Sequence, residues 1–204
     1  MKDALSMLSK CAAADIFRPN EKILAAFYDA VIVIGGSLLV GLSAQVRVYL
    51  PFGLVPVTGQ TFAVLVLGAL LGSRRGALSM LFYLLEGVSG LPVFAAGLGF
   101  STILGPTGGY LVGFVPAAYL VGRLAEMGWD RRFITAVAAM IAGDIILLLF
   151  GFAWLATLTN IRTAFVTGLC PFIVGDLLKV LLAAAVLPAG WKLLVYLNVS
   201  TGRR

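Results

Sequence analysis

Asp176 and Lys179 lie three positions apart in an otherwise apolar stretch of the chain, residues 174–179. Residues at this spacing project from the same face of a helix, so a carboxylate and an ammonium can interact there with each other and with one ligand. A charged side chain at bilayer depth costs about 2.5–3.5 kcal/mol on insertion scales, and such residues usually face an internal cavity. The spacing therefore predicts a binding site for a small polar solute.

Three further ionisable residues, Arg47, Glu86 and Asp144, lie inside or at the edge of hydrophobic segments. We expect Arg47 and Glu86 to converge with the Asp176–Lys179 pair on the outer half of the molecule. Asp144 is expected near mid-depth of its helix, bonded within the bundle. The alternatives are a purely structural ion pair, a Glu86 that reaches the outer interface and an Arg47 that extends to the lipid headgroups.

The composition is that of a membrane protein. Hydrophobic residues make up 61% of the 204 and charged residues 12%, with a mean hydropathy of +1.05. These values are far from those of a soluble domain. There is no histidine, and Cys11 and Cys170 are far apart, which excludes a His/Cys metal site. The net charge of +6 comes from scattered basic residues at segment ends, so no nucleic-acid partner is expected.

Six apolar runs are long enough to be membrane helices: 23–46, 56–73, 76–91, 107–125, 133–157 and 171–190. Residues 1–22 and 191–204 are predicted to be tails on either side of a six-helix substrate-binding domain. The loops on the side of the termini carry twelve Lys and Arg residues, whereas the opposite side carries only Arg47 and Arg162. This bias places both termini in the cytoplasm. The expected location of this multi-pass chain is the plasma membrane.

A glycine-rich segment, residues 87–113, connects the third and fourth runs. Its Gly and Pro content indicates close backbone approach rather than a flexible linker. We predict that it re-enters the outer half of the bundle and covers a pocket, with Phe94, Gly97 and Tyr110 contributing to the binding surface. The chain has no GK[ST] phosphate-binding loop, so it is not expected to hydrolyse ATP by itself.

Five blocks carry a family resemblance: Val55-Pro56-Val57-Thr58-Gly59-Gln60-Thr61, Tyr83-Leu84-Leu85-Glu86-Gly87, Gly90-Leu91-Pro92-Val93-Phe94, Gly105-Pro106-Thr107-Gly108-Gly109-Tyr110 and Gly175-Asp176-Leu177-Leu178-Lys179. Together they closely resemble BioY, the biotin-specific substrate-binding (S) component of energy-coupling factor (ECF) transporters, over residues 45–190. The resemblance implies a six-helix fold that captures biotin from outside. It also implies a partner module of a transmembrane coupling protein and two ATPase subunits, with biotin as cargo and no cofactor.

The resemblance also implies roles for individual residues. Asp176 and Lys179 match the Asp and Lys that contact biotin in the family, and Glu86 stands where the family often has an uncharged residue. Small residues spaced four apart on the first helix contact the coupling protein in S components, and Ala26 and Ala30 have that spacing.

The chemistry of biotin suits this set of groups. Asp176 suits a ureido N–H, whereas Lys179 suits either the ureido carbonyl or the carboxylate. Arg47 is a second candidate for the carboxylate.

Three alternative interpretations remain. The chain could transport biotin alone, without ATPases. Gly143-Asp144 and Gly175-Asp176 could be the carboxylate pair of an intramembrane aspartyl protease, but the two aspartates are expected to differ in depth by several residues. A structural scaffold without ligand would not explain the clustered charges.

Overall fold

The apolar runs fold into helices in the computed structural model, which describes residues 11–49, 51 and 53–200. The helices are α1 (Lys22–Ser43), α2 (Gln60–Leu71), α3 (Ser73–Val88), α4 (Phe100–Leu104), α5 (Gly108–Glu126), α6 (Phe133–Leu158), α7 (Ile161–Ala164) and α8 (Cys170–Ser200). Two short strands, β1 (Arg47–Val48) and β2 (Val57–Thr58), pair antiparallel with Arg47 opposite Thr58. Short 3₁₀ turns cover Ala13–Phe17 and Trp129–Arg131, and a π-helical turn covers Phe165–Leu169.

Within the described residues, four helical runs are long and apolar enough to cross a membrane. They are α1, α5, α6 and the run Ile161–Leu194, which is made of α7, the π-helical turn and most of α8. The other two predicted runs form α2 and α3, which have 12 and 16 residues. Both are shorter than the roughly 20 residues that usually span a bilayer.

The last helical run differs most from its predicted bounds. We expected a helix over 171–190, but helical structure begins at Ile161, and α8 continues to Ser200. Trp191 explains the extension, because its indole is buried and its Nε1 donates a hydrogen bond of 2.5 Å to Oδ2 of Asp130. Residues 1–10 and 201–204 of the two predicted tails lie outside the described residues.

The turn between α2 and α3 depends on one glycine and one carboxylate. Gly72 has a φ of +84°, a conformation that side chains other than glycine rarely adopt. Glu126, at the end of α5, accepts hydrogen bonds from Ser73 N at 2.7 Å and Ser73 Oγ at 2.8 Å. A carboxylate in this position satisfies an unpaired N–H at the start of α3 and lies favourably at the positive end of its dipole.

Small residues allow α2, α3 and α5 to approach closely. A Cβ atom on Gly68 would lie 2.9 Å from the carbonyl oxygen of Ala118, and one on Gly76 would lie 3.0 Å from Cα of Gly68. A Cβ atom on Gly122 would lie 2.4 Å from the backbone nitrogen of Ser73. Membrane helices pack through such contacts because lipid offers no hydrophobic drive for their association.

Two contacts fix the antiparallel register of α6 and α8. Near one end, Leu155 packs against Gly168, where a Cβ atom would lie 2.5 Å from Cδ2 of Leu155. Near the other end, the bond between Trp191 and Asp130 joins α8 to the turn before α6. Burial raises the pKa of the Asp130 carboxyl, while the Trp191 hydrogen bond and the charge of Arg131 oppose that shift.

Gly122→Ala is expected to lower the midpoint of thermal unfolding, because the new methyl group would overlap backbone atoms of Gly72 and Ser73. Overpacking of this kind typically costs about 1–3 kcal/mol. The matched control is Gly35→Ala in α1, where a Cβ atom would meet nothing within 4 Å. The control should be neutral or slightly stabilising, since alanine favours the helix. Equal midpoints for the two variants in thermal unfolding of the purified protein would contradict this packing.

Candidate functional site

Asp176, Lys179 and Thr61 form one hydrogen-bonded cluster that joins α2 to α8. The ammonium of Lys179 donates to Oδ1 of Asp176 at 2.7 Å and to Oγ1 of Thr61 at 2.9 Å. Thr61 in turn donates to Oδ1 of Asp176 at 3.2 Å. The predicted interaction between Asp176 and Lys179 is therefore present, with the aspartate buried and the lysine partly buried.

One oxygen of this cluster is left without a donor. Oδ2 of Asp176 is buried and has no hydrogen-bond partner in the described part of the chain, although Oδ1 accepts two hydrogen bonds. Buried carboxylate oxygens are nearly always hydrogen-bonded, so one that is not marks a place for a missing donor. Lys179 likewise uses two of its three N–H groups on protein acceptors.

A small, mostly apolar cavity lies next to the cluster, with Thr61 in its wall. Its lining comes from the β2–α2 region (Val55, Pro56, Thr58, Gln60, Thr61), the glycine-rich segment (Phe94, Ala95, Ala96, Thr102, Thr107), the start of α5 (Tyr110, Leu111, Phe114) and Phe172 of α8. Its volume is about 40 Å³. Aromatic walls with a few polar groups are typical of a site for a small organic ligand.

Phe94 closes one side of the cavity, as the sequence predicted. Its ring lies over Gly87, where a Cβ atom would be 2.1 Å from the ring, and it packs edge-on against Tyr83 with centroids 5.4 Å apart. Tyr83 donates to the carbonyl of Val93 at 3.2 Å and accepts from Gln60 at 2.5 Å. These contacts hold residues 93–95 of the glycine-rich segment against α2 and α3.

Tyr110 also reaches the cavity, but through its ring rather than its hydroxyl. The ring lies over Gly151 and stacks on Phe172 with centroids 5.5 Å apart. Its hydroxyl donates to the carbonyl of Gly168 at 2.5 Å, so this donor is already occupied. Gly97 is exposed and does not line the cavity. A Cβ atom there would meet Oγ1 of Thr102 at 2.8 Å, so this glycine supports the backbone near the site.

Arg47 lies at the rim of the site. From β1 its guanidinium donates to the carbonyl of Ala95, a cavity-lining residue, and lies 6.0 Å from the ring centroid of Tyr49. Arg47 thus ties the strand pair to the glycine-rich segment while remaining exposed to solvent.

Glu86 is not brought to the cavity. Its Oε1 accepts a hydrogen bond of 3.0 Å from Oγ of Ser37 on α1, and its Oε2 is buried with no partner in the described residues. The predicted convergence of the charges is therefore partial. Asp176 and Lys179 share one cluster, Arg47 stands at its rim, and Glu86 faces the contact between α1 and α3.

Asp144 and Asp176 differ in level by about three residues, since they lie eleven and eight residues from the contact of Leu155 with Gly168. The helical run that carries Asp176 begins at Ile161 and not at residue 171, so Asp176 lies deeper than the predicted span implied. Asp144 and Lys179 each lie eleven residues from the contact of Leu155 with Gly168, one along α6 and the other along α8. In antiparallel helices this equal spacing places the two side chains at the same level.

Sequence reasoning missed Thr61 and Phe172. Thr61 lies in the quoted block 55–61, but its partner Asp176 is 115 positions away, and no local pattern links the two. Phe172 precedes Asp176 by four residues, one turn of the same helix, so the 3.6-residue period could have placed it on the same face.

Comparison with known proteins supports a single family. The family model described as "BioY family" matches residues 18–196. A probable biotin transporter BioY from Pyrococcus horikoshii is 38% identical, with 69% of this chain and 82% of that protein covered. The biotin transporter BioY of Rhizobium etli is 38% identical (81% and 89% covered), and that of Thermotoga maritima is 37% identical (82% and 93% covered).

A solved structure shares the fold. A crystal structure of the S-component for biotin from an ECF-type ABC transporter superposes with a TM-score of 0.70 at 24% identity, covering 82% of this chain and 92% of that one. The family match confirms the predicted resemblance and the prediction of a transport protein rather than an enzyme. With a family model that covers most of its length, the chain belongs to the BioY family.

Proposed function

We propose that this chain is the biotin-capturing S component of an ECF-type importer, which binds biotin from the outer side of the plasma membrane. The observation that carries the proposal is the buried Oδ2 of Asp176, which accepts no hydrogen bond within the described part of the chain and lies beside the Lys179 ammonium, next to an aromatic cavity. The names of the BioY relatives and of the structural neighbour support the same ligand.

The chemistry of biotin complements these groups. A ureido N–H supplies the donor that Oδ2 of Asp176 lacks, and the third N–H of Lys179 is available for the ureido carbonyl. The apolar thioether ring packs against the rings of Tyr110, Phe114 and Phe172. Hydrogen bonds to charged groups contribute about 1.5–3 kcal/mol each, so two of them with apolar packing account for tight binding.

The carboxylate end of biotin is assigned to Arg47. Lys179 already donates hydrogen bonds to Asp176 and Thr61 within the cluster. Arg47 lies at the rim of the cavity, where the valerate tail would emerge if the ureido ring of the ligand binds at Asp176. Arginine also binds carboxylates through two parallel N–H groups. In this arrangement Arg47 exchanges the carbonyl of Ala95 for the ligand carboxylate.

Biotin binding requires the cavity to open. A space of about 40 Å³ holds only a few water molecules, at about 10–15 Å³ each, and not a bicyclic ligand with a valerate tail. Much of the lining comes from residues 55–58 and 94–107, which lie mostly outside the long helices. Outward movement of these segments enlarges the site without disturbing the packing of α2, α5 and α8.

The membrane arrangement follows from the charge bias of the loops. Six helical units, α1, α2, α3, α5, α6 and the run ending in α8, cross or enter the bilayer with both termini cytoplasmic. The glycine-rich segment lies on the outer side and re-enters the bundle, which gives the short helices α2 and α3 a protein cover there. In this arrangement residues 11–21 precede the membrane domain on the cytoplasmic side.

Ala26 and Ala30 on α1 are the proposed contact for the coupling protein. Both are exposed, and Ala30 lines a groove of about 970 Å³ between α1 and α3. Because the chain has no phosphate-binding loop, ATP hydrolysis is assigned to two partner ATPase subunits. A solitary transporter is the alternative, and only that alternative predicts uptake that persists without ATPases.

An aspartyl protease is not supported. Lys179 bonds directly to Asp176, so the carboxylate is engaged in an ion pair rather than sharing a proton with a second aspartate. The family is also one of transporters.

Asp176→Asn is expected to weaken biotin binding at least tenfold, because the amide removes the negative charge that accepts the ureido N–H and that pairs directly with Lys179. The measurement is equilibrium binding of labelled biotin to the purified, detergent-solubilised protein. Glu21→Gln is the matched control, since Glu21 is exposed at the start of α1, far along the chain from the site. Near-wild-type affinity of a folded Asp176→Asn variant would contradict the assignment.

Ala26→Leu with Ala30→Leu is expected to reduce ATP-dependent biotin uptake in cells that hold the ECF module, while binding to the purified protein stays unchanged. The larger side chains prevent a partner helix from approaching the backbone of α1. Ala153→Leu, at an exposed alanine on α6, is the control and should retain uptake. Full uptake by the double variant would rule out this contact, and full uptake without any ATPase would favour the solitary transporter.

A further inference from the structure

Asp144 carries a partly buried carboxyl group to which the proposed binding mode gives no role. Its Oδ1 is buried and accepts no hydrogen bond from the residues that the structure describes. It interacts electrostatically with both Asp176 and Lys179, so it belongs to the same charged region of the bundle. That region holds two carboxylates for one ammonium.

The register of α6 and α8 brings Asp144 and Lys179 face to face. Leu155 contacts Gly168. Asp144 lies eleven residues before Leu155 on α6, and Lys179 lies eleven residues after Gly168 in the last helical run. Eleven residues make about three turns of an α-helix, which returns each side chain to the face where its helix began. Asp144 therefore points from α6 towards the part of α8 that carries Lys179.

Ligand binding at Asp176 creates a need for a second acceptor. Oδ1 of Asp176 accepts hydrogen bonds from Thr61 and Lys179, so a ligand N–H on Oδ2 adds a third donor to the same carboxylate and weakens its attraction for the ammonium. An ammonium that loses its counter-charge in an apolar interior is strongly destabilised. The four-carbon stem of lysine is flexible enough to move the charge to a neighbouring acceptor.

We infer that Asp144 is the alternative counter-charge of Lys179, and that the ammonium moves from Asp176 to Asp144 when a ligand N–H binds Oδ2 of Asp176. Asp144 is thus a positioning residue that acts through Lys179 and does not itself hold the ligand. The movement of the Lys179 ammonium on ligand binding rests on the proposed function. The pairing of Lys179 with either carboxylate can be tested without biotin.

The ligand-free test is a stability cycle of Asp144→Asn and Asp176→Asn, read as the midpoint of thermal unfolding in detergent. Each single variant leaves Lys179 one carboxylate, so each should lower the midpoint only modestly. The double variant removes both, and its loss should exceed the sum of the single losses by about 4 °C or more, since coupled residues show such excess effects. Additive losses would overturn the inference.

A third substitution guards against a double variant that does not fold. Adding Lys179→Met removes the ammonium that would have no counter-charge, so the triple variant should recover a midpoint above that of the double variant. A merely structural role for Asp144, through its size or a local hydrogen bond, predicts no such recovery. Failure of Lys179→Met to restore the fold would therefore contradict the ion-pair exchange.

The ligand-linked half of the inference is tested by biotin affinity. Asp144→Asn should weaken binding about fivefold, because Lys179 then has no second carboxylate and Asp176 must hold the ammonium and the ureido N–H together, whereas Glu21→Gln should change it less than twofold. Unchanged affinity in Asp144→Asn would overturn the exchange on binding. If the wild-type protein bound no biotin, the proposed function would fail, and the ligand-free cycle would still decide whether Asp144 serves Lys179.

Discussion

The structure depends on an ion pair held inside an apolar bundle. Asp176 and Lys179 are taken out of water, which is costly unless each remaining donor and acceptor is satisfied. Thr61 meets part of this requirement, and in doing so it connects α2 to α8. The cluster is nevertheless incomplete, because Oδ2 of Asp176 has no donor in the described chain. We propose that a ligand with a polar N–H group completes it, so that the interaction that joins the two helices also determines which ligand binds.

The rest of the fold keeps this cluster in place by close backbone contacts. Gly68, Gly76 and Gly122 let α2, α3 and α5 approach one another, and Gly168 does the same for α6 and the last helical run. Such contacts replace the hydrophobic drive that is absent between helices in lipid. The segments that cover the cavity are held differently, by hydrogen bonds and ring contacts such as those of Phe94. A rigid base under a more loosely held cover allows the site to open without loss of the cluster.

Hydropathy alone predicted most of the helical framework. The predicted run 133–157 forms α6, Phe133–Leu158, because the ends of one long apolar segment also define the ends of the helix that it forms. The spacing of Asp176 and Lys179 likewise revealed the ion pair. The level of Asp176 relative to Asp144 could not be predicted from hydropathy, since it depends on where the last helical run begins, at Ile161, and on its register with α6. The contact of Thr61 with Asp176 could not be predicted from the sequence either, because residues 115 positions apart meet only through the packing of helices.

The central claim is that the cluster and its cavity form a selective biotin site. The most direct measurement is equilibrium binding of labelled biotin to the purified wild-type chain, with excess unlabelled biotin, thiamine or riboflavin as competitors. The account predicts saturable binding that biotin displaces and the other two vitamins do not, because neither carries a cyclic ureido group beside an apolar thioether ring. A folded, monodisperse chain that binds no biotin, or that loses it equally to all three competitors, would contradict the account.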